Sequence, residues 1–138
     1  MTKAFIDTSV LLRLLIKDDP MKAKAGEKLL RQAKQQDLDL YLLPVALLET
    51  VWVLEKLYKF GRGTIREILE AILNTPELKI EMESVFRKAV RTYEEKNIKF
   101  ADAVMGHWGL GKNLAIVFTY DEKDFKQIEG LEVRKPRQ

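Results

Sequence analysis

The stretch Lys3-Ala-Phe-Ile-Asp7-Thr-Ser-Val-Leu-Leu-Arg-Leu-Leu-Ile16 decides how the fold is read. Lys3 to Asp7 is a short apolar run ending on an acid, which suits a buried strand. Thr8 or Ser9 can cap the helix that follows, Val10 to Ile16, whose leucines leave little polar face. A strand handing over at once to a helix is the unit of an α/β fold, and the rest of the chain repeats it. Asp19-Pro20 is a helix start, with Asp19 as N-cap and Pro20 in the first helical position. Met21 to Gln36 reads as a Lys-rich amphipathic helix, and Asp37 to Pro44 as a second strand.

Val45 to Phe60 carries Leu48, Val51, Trp52, Glu55 and Tyr58 at helical spacing, with Gly61 and Gly63 closing it. Thr64 is expected to cap a further helix through Leu73, and Glu77 to Ile80 is a short strand or an extended link. Met82 to Lys96 is amphipathic, with Val85, Phe86, Ala89, Val90 and Tyr93 inward. Phe100 to Trp108 is a small-residue helix ended by Gly109 and Gly111. Ala115-Ile-Val-Phe-Thr119 is the clearest buried strand, and Leu131 to Arg134 adds an edge strand. Strands separated by helices give an α/β domain with a mostly parallel sheet. No repeat or linker divides it, so residues 1–138 are expected to form a single domain ending in a flexible tail of a few residues.

Composition narrows the chemistry. The 138 residues are 46% hydrophobic and 33% charged, which is enough apolar material for a core and excludes an intrinsically disordered chain. There is no cysteine and one histidine, so thiolate catalysis, Cys-based metal sites and paired imidazoles are all excluded. The net charge of +3 speaks more to solubility than to partners, although it leans slightly towards nucleic acid. No run approaches the ~20 apolar residues of a membrane span, and no signal-peptide pattern is present. A cytoplasmic protein is expected, and the Lys-rich charge excess points weakly to a thermophilic source.

Four acids are poorly placed for a surface role. Asp7 closes an apolar strand, and Glu49 lies within Val45-Ala-Leu-Leu-Glu-Thr-Val-Trp-Val-Leu54. Asp102 sits in Phe100-Ala-Asp-Ala-Val-Met105, and Asp121 follows Ala115 to Tyr120. Each has a structural reading: a loop acid, a link to a neighbouring helix's Lys, an N-cap, a turn. Taken together, they fall where a parallel sheet gathers its βα loops, the edge on which ligands bind. At ~4 Å and an effective dielectric near 20, each pair would repel by about 4 kcal/mol, a cost that divalent cations remove. All-oxygen donors favour Mg2+ or Mn2+ over zinc. A hard cation in an acidic pocket points in turn to phosphate-ester hydrolysis.

Phe5-Ile-Asp-Thr-Ser-Val-Leu-Leu12, Glu49 on its apolar helix, Phe100-Ala-Asp-Ala-Val104 and Thr119-Tyr-Asp-Glu-Lys-Asp-Phe125 together resemble the PIN-domain ribonucleases. The size and layout resemble the VapC-type toxins of toxin–antitoxin pairs. The resemblance runs from Lys3 to about Val133. It implies a single PIN-like, Rossmann-like domain with a mostly parallel sheet of four to five strands flanked by helices. It also implies a Mg2+- or Mn2+-dependent endoribonuclease. Asp7, Glu49, Asp102 and Asp121 match the family's acidic metal-binding and catalytic positions. Ser9 matches a small polar residue that shapes the site, Thr119 the polar residue before the last acid, and Asp124 an acid sometimes found three residues after it. A homodimer through the helices between Val45 and Leu73, an RNA substrate and an antitoxin that occludes the pocket are implied as well.

Other assignments fit less well. His107 lies five residues after Asp102, roughly 140° round the helix, so the two do not share a face. Trp52 and Trp108 read as core or dimer-contact aromatics, Asp18 and Asp19 as capping residues, and Arg13, Lys17, Arg62 and Lys112 as solvating charge. A haloacid-dehalogenase-like phosphatase needs an acid where Ser9 stands, and a receiver domain needs an acidic pair that Asp18-Asp19 cannot supply. A non-catalytic RNA-binding or interaction module, or an RNA-processing nuclease without an antitoxin, remains as the alternative.

Overall fold

The computed structural model describes residues 2–137. Among these, twelve elements alternate: β1 (Thr2–Ile6), α1 (Thr8–Leu15), α2 (Pro20–Lys34), β2 (Leu38–Leu42), α3 (Pro44–Lys56), α4 (Arg62–Leu73), β3 (Leu78–Ile80), α5 (Glu83–Glu95), α6 (Phe100–Gly111), β4 (Ile116–Phe118), α7 (Glu122–Phe125) and β5 (Glu132–Arg134). They form two compact units, one ending at Met82 and the other beginning at Glu83.

In the N-terminal unit, β1, β2 and β3 make a parallel sheet in that order, with Ile6 opposite Leu42 and Leu42 opposite Ile80. Parallel neighbours require long crossovers, here α1 with α2 and then α3 with α4. The central strand contributes Leu40 and Leu42 to the core, joined by Leu47, Val51 and Leu54 of α3 and Ile65, Leu69 and Ile72 of α4. The two last triplets sit at the three- and four-residue spacing that keeps one helix face inward. Asp19 caps α2 as expected, accepting the Lys22 N–H at 3.2 Å with Pro20 in the first turn. A Cβ on Gly26 would lie 2.8 Å from a Leu14 methyl, so the α1–α2 approach depends on that glycine.

The C-terminal unit is built on α5 packed against α6. Phe86, Ala89, Val90 and Tyr93 are buried, as the amphipathic pattern requires, against Phe100, Ala103 and Val104. Tyr93 meets Phe100 edge-on at 5.6 Å, a favoured aromatic geometry. His107 accepts from or donates to the Thr92 hydroxyl at 2.7 Å, tying α6 to α5 in a packing role. β4 and β5 pair in parallel across α7, with Phe118 opposite Arg134.

Five parallel strands interleaved with helices bear out the α/β expectation, and they are hydrogen-bonded as a triplet and a pair. Several local readings need correction. Asp7, not Thr8 or Ser9, caps α1, because its carboxylate accepts both downstream N–H groups. α4 starts at Arg62, two residues before Thr64, because Gly61 is its N-cap and lends its carbonyl to Ile65 N. α6 continues past Trp108 through Gly109 and ends on Gly111, its last residue. The Ala115–Thr119 run is not buried throughout: Ile116 and Phe118 are 45% and 62% exposed, because β-alternation turns both to the same open face.

Candidate active site

Asp7 and Glu49 belong to the N-terminal unit. Asp7 leaves the C-terminal end of β1 and is the N-cap of α1. Its Oδ1 accepts Ser9 N at 3.0 Å, Ser9 Oγ at 2.6 Å and Val10 N at 3.4 Å. The Ser9 hydroxyl and then the Val10 N–H hold its carboxyl below the usual range, because both bond to the charged form. All three bonds fall on Oδ1, so Oδ2 has no hydrogen-bond partner among the described residues. Glu49 stands in the second turn of α3. The two acids line one cavity of about 180 Å³ with Phe5, Ile6, Thr8, Leu43, Val45 and Ala46. Ser9 orients Asp7 through both its hydroxyl and its backbone N–H.

The C-terminal unit holds the other acids. Asp102 lies in the first turn of α6, and Asp121 is the N-cap residue of α7. Asp124, within α7, is only 7% exposed. It accepts the Lys99 N–H at 3.1 Å, satisfying a donor at the otherwise uncapped start of α6. Burial first, then a hydrogen bond to Asp124 and that neighbour's charge, push the Asp102 carboxyl up to about 6. Lys99 opposes the shift and Asp121 adds to it. Thr119 Oγ1 accepts Asp121 N at 2.9 Å and donates to Asp121 O at 3.1 Å, which fixes the turn carrying that acid.

The acids are less buried than the sequence suggests. Asp7, Glu49 and Asp121 are exposed, and Asp102 is half-buried. On α3 the buried polar residue is Thr50, whose hydroxyl donates to Ala46 O at 2.7 Å; Glu49 is turned outward beside Val45 and Trp52. Asp124 is the residue whose weight sequence reasoning underestimated, and its signal was the Phe125 beside it, a core residue. Neither unit on its own gathers three His, Asp or Glu side chains at metal-binding range among the described residues. The donor set nevertheless suits a hard cation. It is entirely carboxylate, one oxygen of Asp7 is unused, and the neighbouring charges of Asp102 and Asp124 oppose each other, which a cation would relieve.

A model of the PIN domain matches residues 4–131. The chain belongs to the PIN-domain family. A VapC ribonuclease of Aquifex aeolicus (strain VF5) is 29% identical over 99 residues, which cover 72% of this chain and 73% of that protein. The family match takes in Asp7, Glu49, Asp102, Asp121 and Asp124 alike. Among the described residues, no helix of this PIN-domain protein is long and apolar enough to cross a membrane.

Proposed function

We propose that this PIN-domain protein is a metal-dependent endoribonuclease, the toxin of a toxin–antitoxin pair. The observation that carries the reading is Asp102, held near pKa 6 by burial and by the carboxyl of Asp124. Carboxylates forced together at a perturbed pKa mark a site built for a counter-charge. In support, a relative sharing most of its length with this chain is named a VapC ribonuclease.

Asp7, Glu49, Asp102 and Asp121 are the proposed ligands of Mg2+ or Mn2+, with Asp124 supporting Asp102 and Ser9 and Thr119 setting the angles of their neighbours. When bound, the cation supplies a lowered water pKa and stabilises charge on the phosphoryl oxygens. The protein's own part is positional. Ser9 pins Asp7 Oδ1 and leaves Oδ2 without a hydrogen bond, and the Asp124–Lys99 bond ties the start of α6, the turn that carries Asp102, to α7. We further propose that residues 1–138 act as one domain, that the protein works in the cytoplasm as a homodimer, and that an antitoxin controls it by covering the acids.

The test is cleavage of RNA in Mn2+, with and without EDTA, by the parent, Asp7→Asn and Asp102→Asn. The expected result is cleavage by the parent alone, abolished by EDTA. Metal-independent cleavage, or full activity in both variants, refutes the proposal. A folded protein that binds RNA without cleaving it supports the non-catalytic alternative.

A further inference from the structure

Among the described residues, Lys99 is the cation that the structure holds against two of these acids, Asp121 and Asp124. Its backbone N–H is held by Asp124 Oδ2 at 3.1 Å, and its ammonium lies 3.8 Å from Asp121 Oδ2. The backbone is therefore anchored to a buried carboxylate, while the side chain, 72% exposed, reaches back over the acids on a flexible stem. An exposed ion pair at this separation contributes little to stability, so fold maintenance does not account for the placement. Nothing in the ligand set requires a lysine either.

We infer that Lys99 is a substrate-positioning residue. It pairs with Asp121 while the acids carry no ion, and turns to an RNA phosphate oxygen next to the scissile phosphodiester once a divalent ion takes that carboxylate. The inference rests on the nuclease reading and deepens it. A tethered ammonium beside an acidic site cannot remain against Asp121 once a divalent charge arrives there, because like charges repel. A phosphate in the same site is the anion that restores its pairing. Lys is suited to this as a mobile point charge, whereas the other groups at this end of α6 are acids.

The experiment compares the parent, Lys99→Gln and Lys99→Arg in the full chain. Titration calorimetry with Mn2+ alone gives metal affinity, and steady-state cleavage of a single-stranded RNA oligonucleotide at several salt concentrations gives kcat and KM. Lys99→Gln is expected to bind Mn2+ about fivefold more tightly, the factor equivalent to the ~1 kcal/mol between unit charges at ~4 Å in water. Its KM should rise about fivefold or more, with a smaller change in kcat. The slope of log KM against log salt should fall by about 0.7, the value of one single-strand phosphate contact. Lys99→Arg should restore both KM and slope. An unchanged KM and salt slope in Lys99→Gln overturns the inference, as does a loss of metal affinity accompanied by a lowered Tm, which would mark a structural role. If the parent neither binds Mn2+ nor cleaves RNA, the nuclease reading fails and this inference fails with it. A parent that does both while Lys99→Gln matches it removes the Lys99 role alone.

Discussion

Asp124 separates two roles that a carboxylate can hold at once. Its oxygen accepts the Lys99 N–H, and its hydrogen bond and charge add to burial in raising the Asp102 carboxyl to about 6. Asp124→Asn keeps an acceptor oxygen and removes the charge; Asp124→Ala removes both. At pH 7 and without metal, Asp102 is mostly ionised and repelled. Relieving that repulsion gains about 1 kcal/mol, the low end of the range for charges ~4 Å apart, since Asp102 is half-exposed. Losing the acceptor leaves a helix-start N–H unpaired at a cost of about 1–3 kcal/mol. Urea unfolding in EDTA should therefore rank Asp124→Asn above the parent, with Asp124→Ala lowest. The pH dependence has a definite sign. A carboxyl whose folded pKa exceeds its unfolded value of 3.8 favours the folded state at low pH, and that contribution fades as pH rises towards about 6. The advantage of Asp124→Asn should thus shrink at pH 5, where Asp102 is protonated in the parent. If both variants are equally destabilised at both pH values, the pair is not coupled as described.

Ser9→Ala should raise the Asp7 titration midpoint, since the hydroxyl is the main group holding it down; carboxyl-detected NMR reads this directly. The parent's own Asp7 contribution to stability is present above pH 3.8 and is lost as pH falls through the depressed folded value. Leu54→Ala, at a fully buried position, should cost about 2–5 kcal/mol by chemical denaturation. Gly106→Ala places a Cβ 2.5 Å from Ile128 Cδ1, and despite a better helix propensity it should destabilise by about 1–3 kcal/mol. Combining it with Ile128→Val, which deletes that methyl, should recover part of the loss.

The order of strands and helices was legible because hydrophobic periodicity changes abruptly at each junction, as at Asp7 and at Asp19-Pro20. Glycine proved a weaker guide. Gly61 serves as an N-cap by its backbone alone, and Gly109 continues α6, which ends on Gly111 with last-turn bonds extending to Lys112. Exposure was the least legible quantity. α3 is apolar nearly all round, so its sequence does not say that Val45, Glu49 and Trp52 face outward while Leu47, Thr50, Val51 and Leu54 face the core. The same holds for Ile116 and Phe118 on β4. The acids themselves were found by their apolar flanks. The supporting contacts, Ser9 on Asp7 and Asp124 on the Lys99 backbone, depend on turn geometry and on contacts 25 residues apart, which spacing alone does not encode.

The most direct test of the metal site is a Mn2+-soaked crystal examined by anomalous difference density. The account predicts a peak at carboxylate oxygens of the proposed ligands Asp7, Glu49, Asp102 and Asp121, at a distance close to the ~2.0–2.1 Å of a hard, octahedral cation. No density at any of these residues at saturating Mn2+ would contradict it.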